Sequence, residues 1–177
     1  MDLVTLLALL TLLSNISLVV FLFVWLNRKY LKKSKLWNNF INFIILKHYL
    51  LAFIVALTAT LGSLYLSDIR GFTPCKLCWY QRIFMYPLVI ILGVSLVKKI
   101  KSEVFVIALS LIGAVIALYH YLLQINPAPF APCTTVGFSV SCSERFTTSY
   151  GYITIPWMAL TAFVLILIAM LLPKKIK

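Results

Sequence analysis

Five long apolar runs leave this chain little choice of fold class. Leu3 to Leu26, His48 to Ser67, Trp79 to Val97, Val104 to Leu123 and Ile155 to Leu172 are each close to the roughly 20 residues a helix needs to cross about 30 Å of hydrocarbon. With 63% of its 177 residues hydrophobic and 11% charged, the chain has too little polar surface to clothe a soluble globule. In lipid only helices and closed barrels satisfy their backbone groups, and these runs lack the two-residue alternation of barrel strands. The expected fold is an all-α membrane protein.

The formal net charge of +12 is placed between the runs rather than within them. Arg28, Lys29, Lys32, Lys33, Lys35 and Lys47 fall in the first connection, Lys98, Lys99 and Lys101 in the third, and Lys174, Lys175 and Lys177 in the tail. All of these lie on one side if the five runs each cross the membrane. Positive loops are retained in the cytoplasm, so the N-terminus is expected outside and the C-terminus inside. Such placement reads as topology and not as a nucleic-acid site, with membrane lipid headgroups as the partner of the first basic loop. The first run opens Met1-Asp2-Leu3, without a basic n-region, and no small-x-small cleavage site precedes the basic loop. It is therefore expected to stay as an anchor rather than to be removed as a signal peptide. The expected organisation is an additional N-terminal transmembrane helix over 1–27, a basic cytoplasmic connection over 28–47, and a four-helix transmembrane bundle over 48–177.

The same topology puts Asp68 to Cys78 and Gln124 to Thr154 on the outer face, and these connections hold all 4 cysteines, Cys75, Cys78, Cys133 and Cys142. Outside the cytoplasm disulfides persist, so the even count reads as two bridges or as one exchanging set. Cys75 and Cys78 follow Pro74 and open the third span, which puts both on one face of a helix N-terminus. Unpaired N–H groups and the helix dipole favour a thiolate there, and Cys-x-x-Cys pairs commonly hold one depressed thiol. One of the two is expected to be a nucleophile. Arg82 stands one turn deeper on that face, a permanent cation able to stabilise a thiolate and a reduced oxygen on a bound ligand; the alternative is that it snorkels to headgroups.

Cys133 and Cys142 lie in a segment with Pro127, Pro129, Pro132 and Gly137, which suits an excursion over the surface. The interval can close a small structural ring, but beside a reactive Cys-x-x-Cys exchange is the better reading. A closed zinc knuckle calls for a second short clip, which Cys133 and Cys142 do not make, so no metal is expected. His120, between Tyr119 and Tyr121, is by default an interfacial residue capped by a loop carbonyl. Gln124 either orients it or caps the helix end. Trp79, Tyr80, Tyr119, Tyr121, Tyr150, Tyr152 and Trp157 read first as an aromatic belt, with the lining of a ring-binding slot as a second role for some of them.

The run Pro74 to Pro87, PCKLCWYQRIFMYP, together with HYLLQINPAPFAPC over His120 to Cys133 and Cys142-Ser143-Glu144-Arg145, resembles the quinone-linked disulfide-bond formation proteins of the DsbB family, most closely the Bacillus-type BdbC subgroup. The resemblance covers His48 to the C-terminus and leaves the first span as an addition to the family's four helices. It implies a protein-dithiol:quinone oxidoreductase of the bacterial cell membrane. The implied partner is an extracytoplasmic thioredoxin-like thiol oxidase of DsbA or BdbD type, and the implied acceptor is a membrane quinone, ubiquinone or menaquinone. On this resemblance Cys133 forms the mixed disulfide with the partner and Cys142 exchanges with Cys75. Cys78 meets the quinone as a thiolate adduct or charge-transfer pair, Arg82 stabilises the reduced quinone, and His120 lies beside its ring. A DsbA-type partner, to judge from DsbA itself at about −120 mV, is too oxidising to be kept oxidised by a glutathione pool at about −180 to −210 mV, hence the need for a stronger acceptor. Vitamin K epoxide reductase-like proteins share a helical bundle and two cysteine pairs, but there the loop pair comes before the Cys-x-x-Cys. A membrane protein whose bridges only brace its loops would have no use for Arg82.

Overall fold

The computed structural model describes residues 3–26, 35–126 and 141–176. Five helices are long and apolar enough to cross a membrane: α1 (Leu3–Leu26), α2 (Lys35–Leu64), α3 (Lys76–Lys98), α4 (Glu103–Ile125) and α5 (Ile155–Ile176). The chain is a multi-pass, all-α membrane protein.

Helix α2 starts well before His48. Its first half, KLWNNFINFIILK, has no glycine or proline to stop a helix, so helix continues through much of the segment expected to be connection. Gly62 is the first glycine in α2, and Tyr65–Ile69 then form a π-helical turn. There Arg70 N–H donates to Tyr65 O at 3.0 Å and Phe72 N–H to Leu66 O at 3.0 Å. Gly71, at φ 68°, takes the left-handed position that a side chain would strain and turns the chain towards Pro74.

Core packing relies on small residues. Gly113 on α4 lies so close to α5 that a Cβ there would stand 2.3 Å from Phe163 Cζ, and Ala114 and Ala117 continue the same buried stripe. Without a hydrophobic drive between helices in lipid, close approach of this kind supplies the van der Waals contact that holds a bundle together. Around it gather Ala52 and Ala56 of α2, Met85, Leu88 and Leu92 of α3, and Ile166 and Met170 of α5. At the end remote from the cysteines, Ser95 and Ser102 share a 2.6 Å hydrogen bond. Ser102 N–H donates to Tyr49 Oη at 3.0 Å, which ties the short α3–α4 turn to α2. Large apolar side chains such as Val19, Phe23, Ile90, Val97 and Val115 point outward, as a lipid-facing surface requires. Helix α1 is peripheral: it contributes no residue to this core.

Candidate active site

The α2–α3 and α4–α5 connections meet at one end of the bundle. Phe72, just before the Cys-x-x-Cys, stacks on Phe146, just after Cys142, with ring centroids 5.2 Å apart and planes 16° apart. Cys75 and Cys142 are 2% and 1% exposed and pack in one cluster with Leu123, Leu77 and Cys78.

Cys75 is the N-cap of α3, and its sulfur accepts from Cys78 N–H at 3.4 Å. This is the position at which an acceptor side chain satisfies an orphan helix N–H, and it fixes Cys78 one turn on, with the two Sγ atoms 3.1 Å apart. Both thiols are free, whereas Cys142 is disulfide-bonded; Cys133 lies outside the described residues. The Cys78 thiol donating to Cys75 is the largest influence on Cys75 and pulls its pKa from 9.0 to about 4. Burial opposes the fall, and the hydrogen bond and charge of His120 assist it.

His120, 1% exposed, connects the two cysteine segments. Its Nε2 lies 3.1 Å from the carbonyl oxygen of Cys142 and 3.6 Å from Cys75 Sγ, while Nδ1 is 3.0 Å from Gln81 Nε2. A loop carbonyl does cap this histidine, and that carbonyl belongs to a cysteine. The Gln81 amide can donate to a neutral ring or, turned over, accept from an imidazolium, so the ring keeps a partner in either protonation state. Gln124 does not orient His120. Its Nε2 donates to Glu144 O at 3.0 Å and its backbone carbonyl accepts from Arg145 Nε at 3.0 Å, which pins the segment after Cys142 to the end of α4.

Cys75 and Cys78 share one space, and only Cys78 reaches a second. Cys75, Cys78, His120 and Gln124 line a crevice of about 10 Å³, the lower limit for a single water. Cys78, Gln81 and Arg82 line an apolar cavity of about 290 Å³ between α1, α2, α3 and α5; neither Cys75 nor His120 reaches it. Arg82 is held by hydrogen bonds: Nε donates to Ser63 Oγ and Nη2 to Ser63 O, each at 3.0 Å, with Trp79 5.2 Å below its guanidinium carbon. The rings on this cavity are Phe72, Tyr86, Phe146 and Phe163. None of the belt aromatics lines it; Tyr121, Tyr152 and Trp157 pack against one another instead.

The cavity fits a small apolar ring compound carrying oxygens. Its volume is at the low end of the roughly 300–1,000 Å³ of small-molecule sites, and Arg82 supplies a cation beside a predominantly apolar wall. The donor atoms of Cys75, Cys78 and His120 also lie within 4.8 Å of one another, as a metal site would need. Two thiolates on a tetrahedral zinc, at about 2.3 Å each, would sit about 3.8 Å apart, wider than the 3.1 Å between these sulfurs. The spacing suits dithiol–disulfide chemistry better.

Residues 47–172 match the family described as "Disulfide bond formation protein DsbB". The chain belongs to the DsbB family. It is 48% identical over 126 residues to "Disulfide bond formation protein C" of Bacillus subtilis strain 168, covering 70% of this chain and 89% of that protein. It is 45% identical over 122 residues to "Probable disulfide formation protein C" of Halalkalibacterium halodurans, covering 68% and 88%. These relatives mark it as a DsbB protein of the Bacillus type, with a role in disulfide formation. No solved structure matches. The matched span leaves α1 outside the DsbB region.

Sequence reasoning missed Gln81 and Ser63. Gln81 carried a signal: an amide in an apolar span, beside Arg82 and one turn after Cys78, has to find a buried partner. Ser63 carried none, since only the rotation of α2 against α3 brings it to Arg82.

Proposed function

We propose that this DsbB protein is a thiol:quinone oxidoreductase that reoxidises an extracytoplasmic thioredoxin-like thiol oxidase, with its cysteine end outside the cell membrane, its N-terminus outside and its C-terminus in the cytoplasm. The observation that carries the reading is the division of the Cys-x-x-Cys between two environments. Cys75 is buried against Cys142, and Cys78 opens on the apolar cavity with Arg82.

The partner's dithiol gives up two electrons and two protons and becomes a disulfide. Its thiolate attacks Cys133 of a Cys133–Cys142 disulfide and releases Cys142, which attacks Cys75 of an oxidised Cys75–Cys78 pair and releases Cys78; the partner's second thiol then closes the partner's disulfide and frees Cys133, which attacks Cys142 and releases Cys75. A thiolate of low pKa leaves readily, and the influences that pull Cys75 to about 4 make it a good leaving sulfur when Cys142 is released again. His120, between Cys75 and the Cys142 carbonyl, is placed to hold or pass the thiol proton on this exchange side. Closure of the Cys75–Cys78 bond then releases two electrons towards the cavity. A membrane quinone, ubiquinone or menaquinone, supplies the two-electron, two-proton sink there, held by Arg82 and the apolar walls.

The test is to mix the purified protein with a soluble quinone and a reduced thioredoxin-like oxidase and to follow quinone absorbance. Reduction that needs Cys75 and Cys78 supports the reading. Undiminished turnover in Cys75→Ser or Cys78→Ser would refute it.

A further inference from the structure

Helix α1 lies outside the DsbB-matched residues 47–172, yet it supplies one wall of the acceptor cavity. Leu7, Leu10, Thr11 and Ser14 line it, across from Cys78 and Arg82. The contact is a single stripe on an otherwise lipid-facing helix: Ala8 is 0% and Thr11 8% exposed, while Leu13, Ile16 and Val20 on other faces are more than half exposed.

Two features hold the stripe in place. A Cβ on Gly62 would stand 3.0 Å from Leu7 Cδ1, so α2 is cut back where α1 crosses it. Thr161 Oγ1 donates to Asn15 Oδ1 at 3.1 Å, and Asn15 Nδ2 reaches Tyr152 Oη at 3.4 Å. A polar side chain in a span is retained where it finds such partners, and hydrogen bonds of this kind join membrane helices. The Thr11 hydroxyl is spent on Leu7 O at 2.8 Å, so the wall offers the cavity an apolar surface and the Ser14 hydroxyl.

We propose that α1 is a binding element for the acceptor, the wall that closes the cavity against lipid and selects which quinone ring and first tail segment fit opposite Cys78. This rests on the quinone reading above. A four-helix relative without such a helix would have lipid on that side.

The decisive experiment uses the full-length protein in detergent and a short-chain azidoquinone, photolysed and mapped by peptide mass spectrometry. Adducts on the Leu7 to Ser14 segment as well as on α3 near Cys78 and Arg82 are expected. Adducts on α3 without any on α1 overturn the proposal while leaving the quinone reading intact; no adduct on α3 removes the quinone reading and this proposal together. In parallel, Leu10→Trp crowds the cavity from the α1 side and should raise the quinone KM about tenfold or more, with disulfide exchange from the partner thiol unchanged. Asn15→Leu, which loosens α1 from α5 at a residue that does not itself line the cavity, should raise it about threefold at constant kcat. A wild-type quinone KM in both variants would show that α1 is an anchor alone.

Discussion

The thiolate at Cys75 can be measured without assaying turnover. Its low pKa comes first from the Cys78 thiol at 3.1 Å and then from His120 at 3.6 Å, and His120→Ala deletes the second contribution while leaving the first. A lowered pKa means that the thiolate is present above it and lost as pH falls through it. At pH 6 a thiol at the ordinary 9.0 is about 0.1% ionised, whereas Cys75 at about 4 is about 99% ionised. The reduced protein, titrated between pH 3 and 9 by thiolate absorbance near 240 nm against Cys75→Ser, should show close to one thiolate per chain appearing around pH 4. In His120→Ala that step should move up by about one to three pH units, the usual effect of losing a neighbouring charge and hydrogen bond. A wild-type protein with no thiolate until pH 8, or a midpoint indifferent to His120, would refute the assignment of His120 to the exchange side.

Arg82→Met should raise the quinone KM by about 10- to 150-fold, the worth of a hydrogen bond to a charged group, while exchange between the partner and the loop pair continues; steady-state kinetics at varied quinone checks this. Ser63→Ala removes the Oγ acceptor of Arg82 Nε while keeping the Nη2 bond to the residue-63 carbonyl and the charge, and should raise KM by a smaller factor in the same assay. Gly113→Ala drives a methyl into Phe163, 2.3 Å away, and should cost about 1–3 kcal/mol, seen as a lower midpoint of thermal unfolding in detergent.

The sequence reading reached as far as local rules reach. Apolar length identified the five spans, and Pro74 before a Cys-x-x-Cys placed the helix start that makes Cys75 an N-cap. The true start of α2 is hidden in the sequence because its asparagines and lysines resemble a polar connection, although nothing from Lys35 to Leu61 breaks a helix. The π-turn at Tyr65–Ile69 has no residue signature. His120 could be singled out from its place in the chain, but its contacts with Cys142 and Gln81 depend on the packing of three separate elements. The same holds for the Asn15–Thr161 bond, which joins residues from the two ends of the chain. Motifs gave the chemistry at Cys75 and Cys78; helix rotation decided which sulfur faces which space.

The central claim is that electrons arrive through Cys75 and leave from Cys78, and anaerobic single turnover tests it most directly. The fully reduced protein, mixed with one equivalent of a soluble quinone, should reduce it and lose the Cys75 and Cys78 thiols together. Cys142→Ser should retain that single turnover, and Cys78→Ser should lose it. Quinone reduction by Cys78→Ser at the wild-type rate would contradict the account.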